Sequence, residues 1–135
     1  MKRKTWLLIS AVIALIFSLL MMLQPNGFTA GISIQSPTPA VNAWAQFLGT
    51  NLFAIGWINF FARNSPWSPA VRGILTGNII LHLLALVFDG YAYTQNVISL
   101  QGVVQGAVVH IVFIIGFGFY AFKPQITEVH AAPGH

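Results

Sequence analysis

LQGVVQGAVVHIVFIIGFGFYAF runs from Leu100 to Phe122 without one charged side chain, and Lys123 closes it. A helix that crosses a bilayer needs about 20 mostly apolar residues. Val, Ile and Phe recur on every side of this run, as they do in a helix surrounded by lipid or by other helices. A barrel strand would instead alternate polar and apolar at every second position. Backbone amides in hydrocarbon must bond within their own segment, and a helix meets that demand. The stretch predicts a membrane-spanning helix over 100–122.

Outward from it, comparable runs cover 6–23, 43–62 and 73–89. The 135-residue chain is 56% apolar and only 6% charged. Soluble domains carry about 25% charged residues, so a water-facing globule is excluded. Disordered chains are polar and charged, which excludes disorder too. The chain has no Cys, which excludes a disulfide framework and a thiolate metal site. The prediction is an all-α, integral membrane four-helix bundle formed by the whole chain, 1–135, as a single domain with a polar tail over 124–135.

The cations set its orientation. Lys2, Arg3 and Lys4 precede the first span, Arg63 and Arg72 bracket the link between the second and third, and Lys123 follows the fourth. Four crossings place all of them on one side. Positive residues stay cytoplasmic, so both termini are expected inside (N-in/C-in). The pI near 10 does not point to nucleic acid, because the cations are spread thinly beyond Lys2–Lys4. Attraction to lipid headgroups accounts for them. The first span carries no amide, glycine or ionisable group and is expected to be the most lipid-exposed. The link over 24–42 is uncharged; Pro25, Gly27, Pro37 and Pro39 argue against a continuous helix through it.

Polar groups inside a membrane are costly and are retained for a reason. Asn78, His82 and Asp89 fall within about 40° on one face of the third span and should look into the bundle. Gly102, Gly106 and His110 repeat at four-residue steps on the fourth. Glycines so placed let a helix backbone or a flat ligand come close. His82 and His110 should sit at similar depth on neighbouring helices. Two readings of them stay open: hydrogen bonds across the bundle, to amides such as Asn51, Asn59 or Asn78, or axial ligation of a haem or chlorophyll. No cofactor is expected under the first. A proton path along His82 and Asp89 lacks a second acid to continue it inward. In the second span Gln46, Gly49 and Thr50 share one face, Asn51 and Asn59 lie on roughly the opposite one, and Gly56 adds a further small residue, so this helix should touch two neighbours. No nucleophile–base pair, paired carboxylates or metal-binding motif is present, and His130 and His135 in the tail make a poor metal site.

The runs QFLGTNLFAIGWINFFARNSP (46–66), AVRGILTGNIILHLLALV (70–87) and HIVFIIGFGFYAF (110–122) resemble small bacterial four-helix membrane proteins of the DoxX-like type. The likeness covers about residues 15–122; the long first link matches it poorly. It implies a four-helix bundle with Gly49, Gly56, Asn59, Arg63, Asn78 and His82 as pattern positions, and it carries over no catalytic role. The expectation is a protein without enzymatic activity, an accessory or assembly subunit that meets lipids and other membrane subunits, or its own copies, within the bilayer. The alternative is a haem- or chlorophyll-binding subunit using His82 and His110.

Overall fold

The computed structural model describes residues 1–32, 34 and 38–123; the tail over 124–135, with His130 and His135, and Pro37 lie outside the described residues. These residues form five helices: α1 (Arg3–Leu23), α2 (Pro25–Gly31), α3 (Pro39–Ala62), α4 (Pro69–Thr94) and α5 (Leu100–Phe122). They contain no strand, only an isolated antiparallel bridge between Ile34 and Ile98. α1, α4 and α5 are long and apolar enough to cross a membrane. α3, at 24 residues, is of matching length, but Asn42, Gln46, Asn51 and Asn59 dilute its apolar character.

The helices start where local chemistry starts them. Pro25, Pro39 and Pro69 each occupy a first-turn position, where the missing N–H costs nothing. Thr38 and Ser68 cap α3 and α4 by accepting from Val41 N and Val71 N, and Ser99 caps α5 by accepting from Gly102 N. The prolines expected only to interrupt the first link therefore launch α2 within it and begin α3 before residue 43. α4 likewise outruns the expected 73–89. It ends at Thr94, with Gln95 as its C-cap and Asn96, whose φ of 56° is left-handed, just beyond. Asp89 thus sits inside a helix rather than at its end.

The helices associate as two antiparallel pairs. α1 lies along α3, and α4 along α5, while α3 approaches α4 and α1 approaches α5 over much shorter stretches. Contrary to the expectation of a lipid-exposed first span, α1 is the most enclosed of the candidate spans. Leu7, Ser10, Ala11, Ala14, Ser18 and Met21 form its buried stripe. These are mostly small side chains, and α3 answers them with glycines. A Cβ at Gly49 would lie 3.0 Å from the Ser18 carbonyl, and one at Gly56 would lie 2.9 Å from Leu15 Cγ. Small residues on both helices bring the backbones into direct contact, the usual basis of helix association in lipid. The hydroxyls of Ser10 and Ser18 bond back to Leu7 O and Leu15 O, so burying them leaves no unmet donor.

The two pairs join at one end. Trp6, Leu7, Ala62, Val71, Leu75, Phe113, Phe117, Tyr120 and Ala121 make one apolar core there. Tyr120 donates to Met1 O at 2.6 Å, and Arg3 donates to Ser65 O at 2.5 Å. Both ends of the described chain and the α3–α4 link therefore share one end of the bundle, and that end holds all six Lys and Arg residues. Four of these side chains lie along aromatic rings: Arg3 over Trp67, Arg63 over Phe60, Arg72 over Phe122 and Lys123 over Phe119. At the opposite end the Ile34–Ile98 bridge ties the α2–α3 link to the α4–α5 link.

Candidate functional site

The polar face read on α4 divides between two neighbours. Asn78 turns to α3. It exchanges two amide hydrogen bonds with Asn59, each 3.0 Å, and donates a further one to Ile74 O at 2.8 Å. Both amides are buried, Asn59 almost completely. A side-chain amide offers donor and acceptor in one plane, so two of them close a ring that satisfies both. This pair is a clasp between the two helix pairs.

One turn further along α4, His82 turns to α5. Its Nδ1 lies 2.9 Å from Nδ1 of His110. The His82 ring stacks on Phe113, with centroids 4.8 Å apart and planes 4° from parallel, and Phe117 lies beside both, 6.1 Å from His82 and 5.9 Å from Phe113. Beneath that stack Trp6 of α1 meets Phe113 and Phe117 at a tilt. Gly116 makes this possible, because a Cβ there would overlap the indole.

Asp89 completes the file. Its Oδ2 stands 3.6 Å from His110 Nε2. Gly106, one turn before His110 on α5, leaves the space that the carboxylate fills; a Cβ there would fall on Asp89 Oδ2. The fold therefore brings together Asp89, His110 and His82, with Gly106 as the residue that admits the acid. By helix rise, His82 lies about 20 Å and Asp89 about 30 Å along α4 from its start. The file runs from mid-helix towards the end that carries no Lys or Arg.

The other predicted positions serve packing. Gly49 and Gly56 seat α1 on α3, and Gly102 is buried at the start of α5. Gln46 donates to Met22 O at 3.2 Å, again across the α1–α3 contact. Asn51, named as a partner for the histidines, instead donates to Phe47 O of its own helix at 2.9 Å and stays exposed. No group of three or more His, Cys, Asp or Glu among the described residues is arranged to hold a metal. Two imidazoles flanking one metal would need their nitrogens about 4 Å apart, given bonds of about 2.0 Å. At 2.9 Å, His82 and His110 bond to each other, and axial ligation between these nitrogens would require the rings to part.

Sequence reasoning missed two contributors, Trp6 and Phe113. Each looks like one more aromatic residue in an apolar run. The glycine of G-F-G at 116–118 was the available signal, since a glycine inside a span marks a close approach. Comparison with known proteins adds no relative: no family model, no curated protein and no solved structure matches the chain.

Proposed function

We propose that this chain is a four-span protein of a bacterial inner membrane, with both termini cytoplasmic, acting without enzymatic activity as an accessory subunit that packs against a membrane partner. On this proposal α3 is the fourth crossing, and the likeness to DoxX-like proteins reflects the same bundle. The cation-bearing end is the inner one, as the distribution of Lys and Arg requires.

Support for a partner comes from the outward face of α3. Gly49 and Gly56 commit one side of this helix to α1. The opposite side exposes Phe47, Thr50, Asn51, Ala54, Ile58 and Phe61. Its centre, at the midpoint of the helix, is therefore small and polar, with larger apolar residues on either side. Thr50 and Asn51 both donate to Phe47 O, at 2.7 and 2.9 Å. No described residue donates to the Asn51 amide oxygen. An unmet amide facing hydrocarbon at mid-depth is unfavourable, whereas small residues and amides are what helices use to pack on one another in membranes. A helix from another subunit laid on this face would meet the amide and fill the notch at Ala54.

Photo-crosslinking in native membranes tests the proposal. A photoreactive residue at Ala54 should give a discrete protein adduct, weakened by Asn51→Leu, while one at Ile115 on the exposed face of α5 should give lipid adducts. Lipid adducts at both positions would refute it. Reporter tags should place both termini in the cytoplasm; opposite locations would remove the four-span topology.

A further inference from the structure

We infer that the helix laid on the outward face of α3 is α3 of a second copy of this chain, the two running parallel about a twofold axis along the membrane normal. The inference rests on the accessory reading above, in which α3 crosses the membrane, and it names the partner. The first support is spacing. Trp44, Phe47, Asn51, Ala54, Ile58 and Phe61 are all exposed and follow one another at alternating steps of three and four residues. They fall within about 100° of the helix circumference. Gly49 and Gly56, which face α1, and Asn59, which faces α4, lie on other sides. A seam that repeats every 3.5 residues lets two helices wind around each other at about 20°. α3 carries no charged side chain from Pro39 to Ala62, so two such seams meet without repulsion.

The second support is the fate of the amides on α3, which are Asn42, Gln46, Asn51 and Asn59. Asn42 donates to Asn26 of α2, Gln46 to Met22 O of α1, and Asn59 to Asn78 of α4. Asn51 alone bonds only within its own turn, giving one N–H to Phe47 O. Its second N–H and its oxygen have no partner among the described residues. Two copies that cross a membrane in the same direction hold equal residues at equal depth. Asn51, near the middle of α3, therefore meets its counterpart, and the two amides close the same reciprocal ring that Asn59 and Asn78 make. A single Asn within such a seam fixes register and two-stranded association. An unrelated helix has to bring its own amide to that depth; a second copy brings it by symmetry. The third support is area. Trp44, Phe47, Ile58 and Phe61 are 61%, 63%, 49% and 68% exposed. At about 200 Å² for a large side chain they offer about 500 Å² per copy. Two copies together reach the roughly 1,000 Å² that a specific interface needs.

The chain has no Cys, so a single introduced thiol is unique in it. A disulfide needs Cα atoms within about 7 Å, which only facing seam positions reach. In native membranes treated with a mild oxidant, full chains carrying Ala54→Cys or Ile58→Cys should form disulfide-linked dimers. Leu52→Cys, on the other side of α3, and Ile115→Cys, exposed on α5, should stay monomeric. Purified full chain labelled with donor and acceptor dyes at its amino terminus, in phosphatidylcholine vesicles, should show energy transfer that falls as lipid dilutes it. Asn51→Leu should weaken that association about sevenfold, the equivalent of two interhelical hydrogen bonds. Ala54→Trp, which holds the helices apart, should weaken it at least about tenfold, and its site is exposed, so the chain's own packing is untouched. Equal disulfide yield at all four positions would overturn the inference, as would unchanged association in both variants. A photo-adduct at Ala54 of twice the chain's mass supports it. An adduct with a different protein, without dimers at the seam thiols, would remove the second copy and leave the accessory reading standing. Lipid adducts alone would remove both.

Discussion

Replacing the clasp at Asn59 and Asn78 by leucines tests whether these amides hold the two helix pairs together as a unit. Interhelical hydrogen bonds in membranes contribute about 0.6 kcal/mol each, so the reciprocal pair accounts for about 1.2 kcal/mol. Asn59→Leu removes both bonds. Asn78 still donates to Ile74 O at 2.8 Å, but its amide oxygen is left buried without a donor. An unmet buried group costs about 1–3 kcal/mol, giving a total loss of about 2–4 kcal/mol. Asn78→Leu should cost more, because Asn59 has no second partner among the described residues and both ends of its amide go unmet. The double variant removes the bonds and the orphans together. It should therefore be more stable than Asn78→Leu alone, and its loss should be at least about 2 kcal/mol smaller than the sum of the singles, well outside ordinary additivity of about 0.5 kcal/mol. Reversible unfolding in mixed micelles, followed by circular dichroism, measures all four corners of the cycle. Additive losses would show that the amides do not act as a pair and would refute the clasp.

Gly49→Ala and Gly56→Ala should each destabilise by about 1–3 kcal/mol in the same assay, since a Cβ there presses on α1, whereas Gly73→Ala, Gly77→Ala and Gly118→Ala, with open space at Cβ, should be neutral or gain up to about 1 kcal/mol from helix propensity. Gly116→Ala should displace the Trp6 indole from Phe113 and Phe117, which a shift in tryptophan emission together with a lowered melting temperature would report; an unchanged spectrum would contradict the packing. Tyr120→Phe should cost about 0.5–1.5 kcal/mol by removing the hydrogen bond to Met1 O, detectable as faster proteolysis at the amino terminus. Protein purified in mild detergent should show no absorbance above the aromatic band, and a Soret or chlorophyll band would instead favour His82 and His110 as ligands.

Much of the architecture could be read from the chain because hydrophobicity and length are local properties. The run over 100–122 coincides with α5, and the spans over 6–23, 43–62 and 73–89 fall inside α1, α3 and α4. The errors came from residues with two local meanings. Pro25 and Pro39 interrupt a helix when they fall inside one and initiate it at its first turn, and only the backbone that follows decides between these. The enclosure of α1 was misread because alanine and serine look inert in composition. Spaced as Ser10, Ala11, Ala14 and Ser18, they are the surface against which Gly49 and Gly56 of another helix can close.

The candidate site divides in the same way. Periodicity placed Asn78, His82 and Asp89 on one face of a single helix and put Gly106 and His110 in step on another. It could not show that Asn78 would turn to α3 while His82 turned to α5, or that Gly106 would make room for Asp89. Those outcomes depend on how two helix pairs lean on each other. The sequence by itself determined the apolar character, the helices and the residues that carry the cations, because each follows from transfer energies and dihedral preferences summed along one segment. Only the tertiary structure decided which imidazole nitrogen meets which neighbour and which face of α3 stays uncovered, because these depend on contacts, a few ångströms long, between residues far apart in the chain.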